Sequence, residues 1–122
     1  MYKVLTNNPL ARDWWEESES NHMHLTWQEG DFLAVLNAAR DLIHLGWRLV
    51  NHPLSSSVKP NQTPYKTLVL ARGLGLDYRS LNLIEGAIAA AEKFGDFPGG
   101  SKKVLADLQF LDLEMCKDII LK

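Results

Sequence analysis

The sequence predicts a small single α/β domain, in which a mostly parallel sheet of about four strands is flanked by helices in a Rossmann-like or flavodoxin-like arrangement. Strand-like runs alternate with amphipathic helices along the chain. The 122 residues match the usual length of one domain, so 1–122 is expected to be a single unit. The segments 22–27, 32–45 and 47–50 have the lengths of a strand, a helix and a strand in a right-handed βαβ unit.

The first predicted strand, Tyr2–Thr6, is followed by a short helix. Asn8 is a suitable helix cap, and Pro9 suits the first helical position because its missing N–H needs no partner there. We expect Leu10 and Trp14 to lie on the apolar side of this helix, and Trp15 could join them.

The second predicted strand covers 22–27, and its alternation places Met23 on one face with His22 and His24 on the other. Two histidines on one strand face are a spacing that some metal sites use. Because no third ligand obviously joins them, we expect exposed histidines and no metal.

Two helices have the clearest signals in the sequence. The first follows the capping residue Asp31 and should stop at Gly46. The second runs from about Tyr78 to Phe94 and should stop at Gly95.

The segment 54–66 is too rich in proline and serine for a regular element, so we expect a long loop. Thr67–Ala71 is the fourth predicted strand. No helix separates it from the third strand at 47–50, so it could run antiparallel at an edge of the sheet, and its orientation stays open.

The last helix should begin after Ser101, bury Val104 and Leu111, and break near 110–112 before a final stretch to Leu121. The turn Gly73-Leu74-Gly75, which precedes the Tyr78 helix, lacks the third glycine of a dinucleotide-binding fingerprint. We therefore interpret it as a tight turn and expect no cofactor.

A net charge of −2 gives no overall attraction for nucleic acid or an anionic membrane, and no apolar run is long enough to span a bilayer. The single cysteine, Cys116, cannot form an internal disulfide, and the first residues do not resemble a signal peptide. We therefore expect a cytoplasmic protein. The stretch 42–84 carries five cations against one carboxylate, which favours an anionic ligand or an acidic partner unless these cations are simply a solvated surface.

Polar side chains follow the first and third predicted strands, and ligands of parallel α/β sheets bind beyond the carboxyl ends of strands. The long loop adds hydrogen-bonding groups, and Pro53 just before it, with Pro60 and Pro64 within it, lowers the entropy cost of holding them in place. The sequence therefore predicts a ligand or partner site, with structural packing of the loop as the alternative. The candidate ligand-binding residues are Asn7, Asn8, His52, Ser55, Ser57, Lys59, Asn61, Thr63 and Tyr65.

A catalytic alternative uses the same loop. Ser55 or Ser57 with Lys59 as its base would form a nucleophilic pair, and His52 could serve instead of the lysine. More generally, His52 or Lys59 could act as acid and base in small-molecule chemistry. No spacing in the sequence enforces such a geometry, so no catalytic residue is assigned.

Three segments resemble the GrdX family: Thr6–Pro9, Arg40–Gly46 and above all His52–Tyr65. The similarity extends over nearly the whole chain. The resemblance implies a small accessory protein from gene clusters for glycine, sarcosine or betaine reductase in anaerobic amino-acid-fermenting bacteria. Those reductases are selenoprotein systems that yield acetyl phosphate. The resemblance therefore suggests a small anionic ligand or amino-acid derivative, a reductase subunit as partner, and no established catalytic residues. A homodimer also remains open.

Overall fold

Four strands and four helices make up the computed structural model, which describes residues 1–55 and 58–119. Their order along the chain follows the order that the sequence predicts. The elements are β1 (Tyr2–Thr6), α1 (Pro9–Glu16), β2 (Met23–Trp27), α2 (Phe32–His44), β3 (Trp47–Leu49), β4 (Thr67–Arg72), α3 (Tyr78–Phe94) and α4 (Lys102–Cys116).

Each face of the sheet packs against one pair of helices. Successive side chains of a strand point to opposite faces, so the adjacent residues Val4 and Leu5 of β1 enter different clusters. Leu5 packs with α2 and α3, whereas Val4 packs with α1 and α4. The prediction of an α/β fold with flanking helices is confirmed, and the described residues form three layers.

The sheet is mixed, so the prediction of a mostly parallel sheet is wrong. Its strand order is β2-β1-β4-β3, in which β1 pairs parallel with β2 while β4 pairs antiparallel with both β1 and β3. β4 takes the antiparallel orientation that the sequence left open as one possibility, but it lies between two strands and not at an edge of the sheet. The first five of its six residues are buried, as suits a strand paired on both sides. The loop before β4 carries no helix in its described residues, so the chain reverses direction without a parallel crossover.

The predicted helix caps are confirmed. The side chains of Asn8, Asp31 and Ser101 accept hydrogen bonds from the backbone of the first turns of α1, α2 and α4. Gly46 and Gly95 have positive φ angles after α2 and α3, a conformation that glycine adopts without steric cost. No helix within residues 1–55 and 58–119 has the length and apolar character needed to cross a membrane.

Of the three residues named for the apolar side of α1, the structure buries only Trp15. Ala11 and Trp15 enter the core, whereas Leu10 and Trp14 are exposed. The hydrophobic pattern of this eight-residue helix is ambiguous, because Trp14 and Trp15 are adjacent and either can belong to the buried face.

α4 is continuous through residues 110–112, so the predicted break is wrong. Asp112 does not cap a second helix, because its carboxylate accepts hydrogen bonds from Thr67 instead. Val104 and Leu111 are exposed rather than buried, and Leu113 and Cys116 form the buried face. The end of the predicted final stretch lies outside the described residues.

Candidate functional site

The candidate site lies at one edge of the sheet. Because β4 is antiparallel to both of its neighbours, the carboxyl ends of β1 and β3 lie at the same edge as the amino end of β4. Thr6 and Thr67 are paired there in register, and their hydroxyl oxygens are 2.7 Å apart. β1 and β3 are not neighbours, since β4 separates them, but the two predicted strand ends do share this edge.

A polar cluster of Thr6, Asn8, Thr67 and Asp112 joins α4 to this edge. The Asp112 carboxylate accepts from the Thr67 amide at 3.0 Å and hydroxyl at 2.6 Å, and from Asn8 Nδ2 at 2.9 Å. Asn8 Nδ2 also donates to the Gln109 carbonyl, and Asn8 Oδ1 caps α1. The amide hydrogens of Asn8 are therefore already used within the protein.

Asn7 attaches the long loop to the sheet. Its Nδ2 donates to the carbonyls of Pro64, at 2.7 Å, and Gly30, at 3.0 Å. Its Oδ1 accepts from the amide of Lys66 at 2.9 Å. Like Asn8, this predicted ligand-binding residue makes internal hydrogen bonds with its whole amide, and a ligand-binding role for either stays a prediction.

The first half of the loop lies on the surface. His52, Ser55 and Lys59 are exposed, and His52 Nδ1 accepts from the amide of Leu54 at 3.0 Å. The Lys59 ammonium lies 5.6 Å from the ring centre of Phe94. Ser57, the remaining candidate in this half, lies outside the described residues.

The second half of the loop turns inward. Thr63 is buried and its hydroxyl oxygen accepts from the Tyr65 amide, while the Tyr65 hydroxyl accepts from Gln109 Nε2 at 2.9 Å. Asn61 is half-buried, and its Oδ1 has no hydrogen-bond partner among the described residues. Thr63 and Tyr65 line a cavity of about 20 Å³ together with Lys66 and Asp112. The structure thus brings together two of the nine predicted site residues at this cavity.

Lys66 is a functional candidate that the sequence reasoning missed. Its side chain is only 5% exposed, and its ammonium lies 6.0 Å from the ring centre of Phe32. Burial lowers the pKa of Lys66, and the negative charge of Asp112 partly opposes this effect. A signal was available, because Lys66 immediately precedes the apolar run of β4 and so sits where a strand enters the core.

A larger cavity, of about 250 Å³, lies on the other side of the loop's second half. Its lining includes Pro60 and Thr63, but also the acidic side chains of Asp31, Glu92 and Asp96. Three carboxylates disfavour an anionic ligand. Of these two cavities, the one at Lys66 is therefore the one that suits the predicted anion.

These features define a three-layer α/β protein whose loop after β3 folds back over a buried lysine at the carboxyl edge of the sheet. Residues 3–121 match the family model described as GrdX-like protein, which covers nearly the whole chain. The chain therefore belongs to the GrdX-like family, as the resemblance in its sequence indicated. This membership suggests an association with glycine reductase systems. No curated protein and no solved structure matches the chain.

Proposed function

We propose that this protein is a non-catalytic accessory protein of glycine, sarcosine or betaine reductase systems, and that it binds a small anionic amino-acid derivative through the loop 51–65. The observation that carries this proposal is the cavity at Lys66. Two inward-facing residues of the loop, Thr63 and Tyr65, line it beside a buried ammonium group. Family membership supports the reductase association.

Both ends of the loop are attached to β4 or its approach. At the start, Asn51 Nδ2 donates to the Thr67 carbonyl and Asn51 Oδ1 accepts from the Val69 amide. At the end, Asn7 bonds to Pro64 and Lys66. Attachment at both ends reduces the conformational freedom that binding must remove, which favours a preorganised site.

The exposed first half of the loop suits contact with a partner more than catalysis. His52 and Lys59 lie on the surface, and within the part of the chain that the structure describes no ion pair joins either of them to a carboxylate. The catalytic alternative, which pairs Lys59 or His52 with Ser55 or Ser57, stays a prediction, because Ser57 lies outside the described residues. A reductase subunit is the partner that the family association favours for this surface.

Thermal unfolding of the purified protein tests the proposal with glycine, sarcosine, betaine, acetyl phosphate and inorganic phosphate. A ligand that binds only the folded state at a hundredfold excess over its Kd stabilises it by about 2.7 kcal/mol. We expect at least one compound to raise the melting temperature, and Lys59→Ala or Tyr65→Phe in the loop to reduce the effect. Lys102→Ala, at an exposed lysine on α4, is the matched control and should not reduce it.

Two results contradict the small-ligand proposal: no stabilisation by any compound, or stabilisation that both loop variants leave intact. Co-purification with reductase subunits then tests the partner role separately. The expected result there is retention by the wild type and loss with Lys59→Ala.

A further inference from the structure

The Lys66 side chain is buried, and its ammonium has no hydrogen-bond acceptor among the described residues. The side chain is 95% removed from solvent, and among the described residues its Nζ makes no hydrogen bond or ion pair. Asp112 lines the same cavity, but its oxygens already accept three hydrogen bonds from Thr67 and Asn8. The ammonium nitrogen is not among the fully enclosed polar atoms, so an acceptor from outside the protein can reach it.

Two further donors line the cavity. The Thr63 hydroxyl oxygen accepts from the Tyr65 amide, and the Tyr65 hydroxyl oxygen accepts from Gln109. Each hydroxyl therefore keeps its own hydrogen to donate, and neither donates to an acceptor in the described residues. An ammonium and two hydroxyl groups without acceptors are the groups that bind an oxyanion.

The size of the cavity selects among oxyanions. Its volume of about 20 Å³ holds about one water-sized group, so a single oxygen of an oxyanion can enter it, and a planar carboxylate brings less bulk to the opening than a tetrahedral phosphate. The remaining walls are largely apolar, and two of them, Leu111 and Met115, are nearly half exposed. The rest of a ligand can reach solvent past these side chains.

We propose that the cavity at Lys66 binds the carboxylate group of a small monocarboxylate, with Lys66, Thr63 and Tyr65 as its donors. This inference rests on the proposed function and names both the chemical class of its ligand and the residue that recognises it. Lys66 supplies the charge, and the two hydroxyl groups supply hydrogen bonds.

Titration of the protein with sodium acetate tests the inference, at constant ionic strength and with thermal stability as the readout. Acetamide, which has the shape of acetate without its charge, and inorganic phosphate are the comparison probes. We expect a saturable rise with acetate and none with acetamide or phosphate. Lys66→Met should abolish the response, whereas Lys102→Met, the same substitution at an exposed lysine of α4, should preserve it.

Tyr65→Phe provides a second test that does not depend on the folding of Lys66→Met. It removes one proposed donor and should weaken acetate binding about tenfold, the effect of one hydrogen bond to a charged group. The inference is overturned by a flat response to acetate, by equal responses to acetate and acetamide or phosphate, or by a response that survives Lys66→Met.

The outcomes also separate this inference from the proposed function. If an amino-acid derivative binds and Lys66→Met does not weaken it, the carboxylate subsite is wrong and the proposed function stands. If acetate binds at Lys66 but no amino-acid derivative does, the proposed function is wrong, and the cavity is a carboxylate site of another kind.

Discussion

Asp112 joins α4 to the sheet, and its replacement by alanine should be among the most destabilising single changes on that helix. Its carboxylate accepts from the Thr67 amide, the Thr67 hydroxyl and Asn8 Nδ2. The Thr67 hydroxyl retains Thr6 as a partner, and Asn8 retains the Gln109 carbonyl. The largest part of the cost therefore falls on the buried amide of Thr67.

An unsatisfied buried donor costs about 1–3 kcal/mol, and the two weakened bonds to the carboxylate add to this. We expect Asp112→Ala to lower the free energy of unfolding by about 3 kcal/mol in urea denaturation and the melting temperature by about 10 °C. Asp112→Asn should have a smaller effect, because an amide keeps one acceptor oxygen but places its own N–H groups opposite a donor.

Asp107→Ala is the matched control on the same helix. Asp107 is exposed, and among the described residues it pairs only with Lys103, one turn earlier, at 3.3 Å, so its loss should change stability by about 0.5 kcal/mol or less. Both substitutions alter helix propensity equally, so their difference isolates the buried hydrogen bonds. If Asp112→Ala is no more destabilising than Asp107→Ala, the reasoning about the polar cluster is wrong.

Three further predictions concern other features. Gly73→Ala should destabilise the protein, because a Cβ there would lie 2.6 Å from the Gly46 carbonyl oxygen. Gly86→Ala in α3 should instead stabilise the protein by up to about 1 kcal/mol, because its new Cβ meets nothing within 4 Å. Urea unfolding of both variants checks this, and equal changes in the free energy of unfolding would contradict it. Burial raises the pKa of the Cys116 thiol to about 11, so at pH 8 iodoacetamide should modify the urea-unfolded chain quickly and the native protein slowly; comparable rates would show that the thiol is accessible. Lys66→Met should raise stability at pH 7 by about 1–2 kcal/mol, since it removes a buried charge. Because the pKa of Lys66 is lower in the folded state than its usual value of 10.5, the wild type gains stability as pH rises from the folded pKa to 10.5. The stability advantage of Lys66→Met over the wild type should therefore be smaller at pH 10 than at pH 7 in unfolding experiments. An equal advantage at both pH values would contradict the burial of a charged amine.

Local chemistry explains what could be predicted about the elements. The caps Asn8, Asp31 and Ser101 and the stops Gly46 and Gly95 act within one turn of the chain, so their side chains and backbone angles identify helix ends without tertiary context. The buried faces of α1 and α4 were predicted less well, because each helix carries apolar residues on more than one side. The sheet against which the helix packs then decides which of these sides is buried.

The candidate site was predictable in its place but not in its members. The position of the loop followed from strand ends and turn residues, and Thr63 and Tyr65 do line a cavity there. The place of Lys66 directly before the apolar run of β4 was a signal for its burial, but only the tertiary structure shows that Phe32 and α4 enclose it. Burial of a lysine is a property of the surrounding elements, not of the lysine.

The sequence alone determined that the chain alternates strands and capped helices, that a proline-stiffened loop precedes β4, and that the family is GrdX-like. Only the tertiary structure decided the strand order, since β4 finds its partners β1 and β3 across long stretches of chain. Pairing of this kind depends on which faces become buried together. The same packing brings Asp112 to Thr67 and encloses Lys66, so the chemistry of the edge arises from contacts between residues distant in sequence.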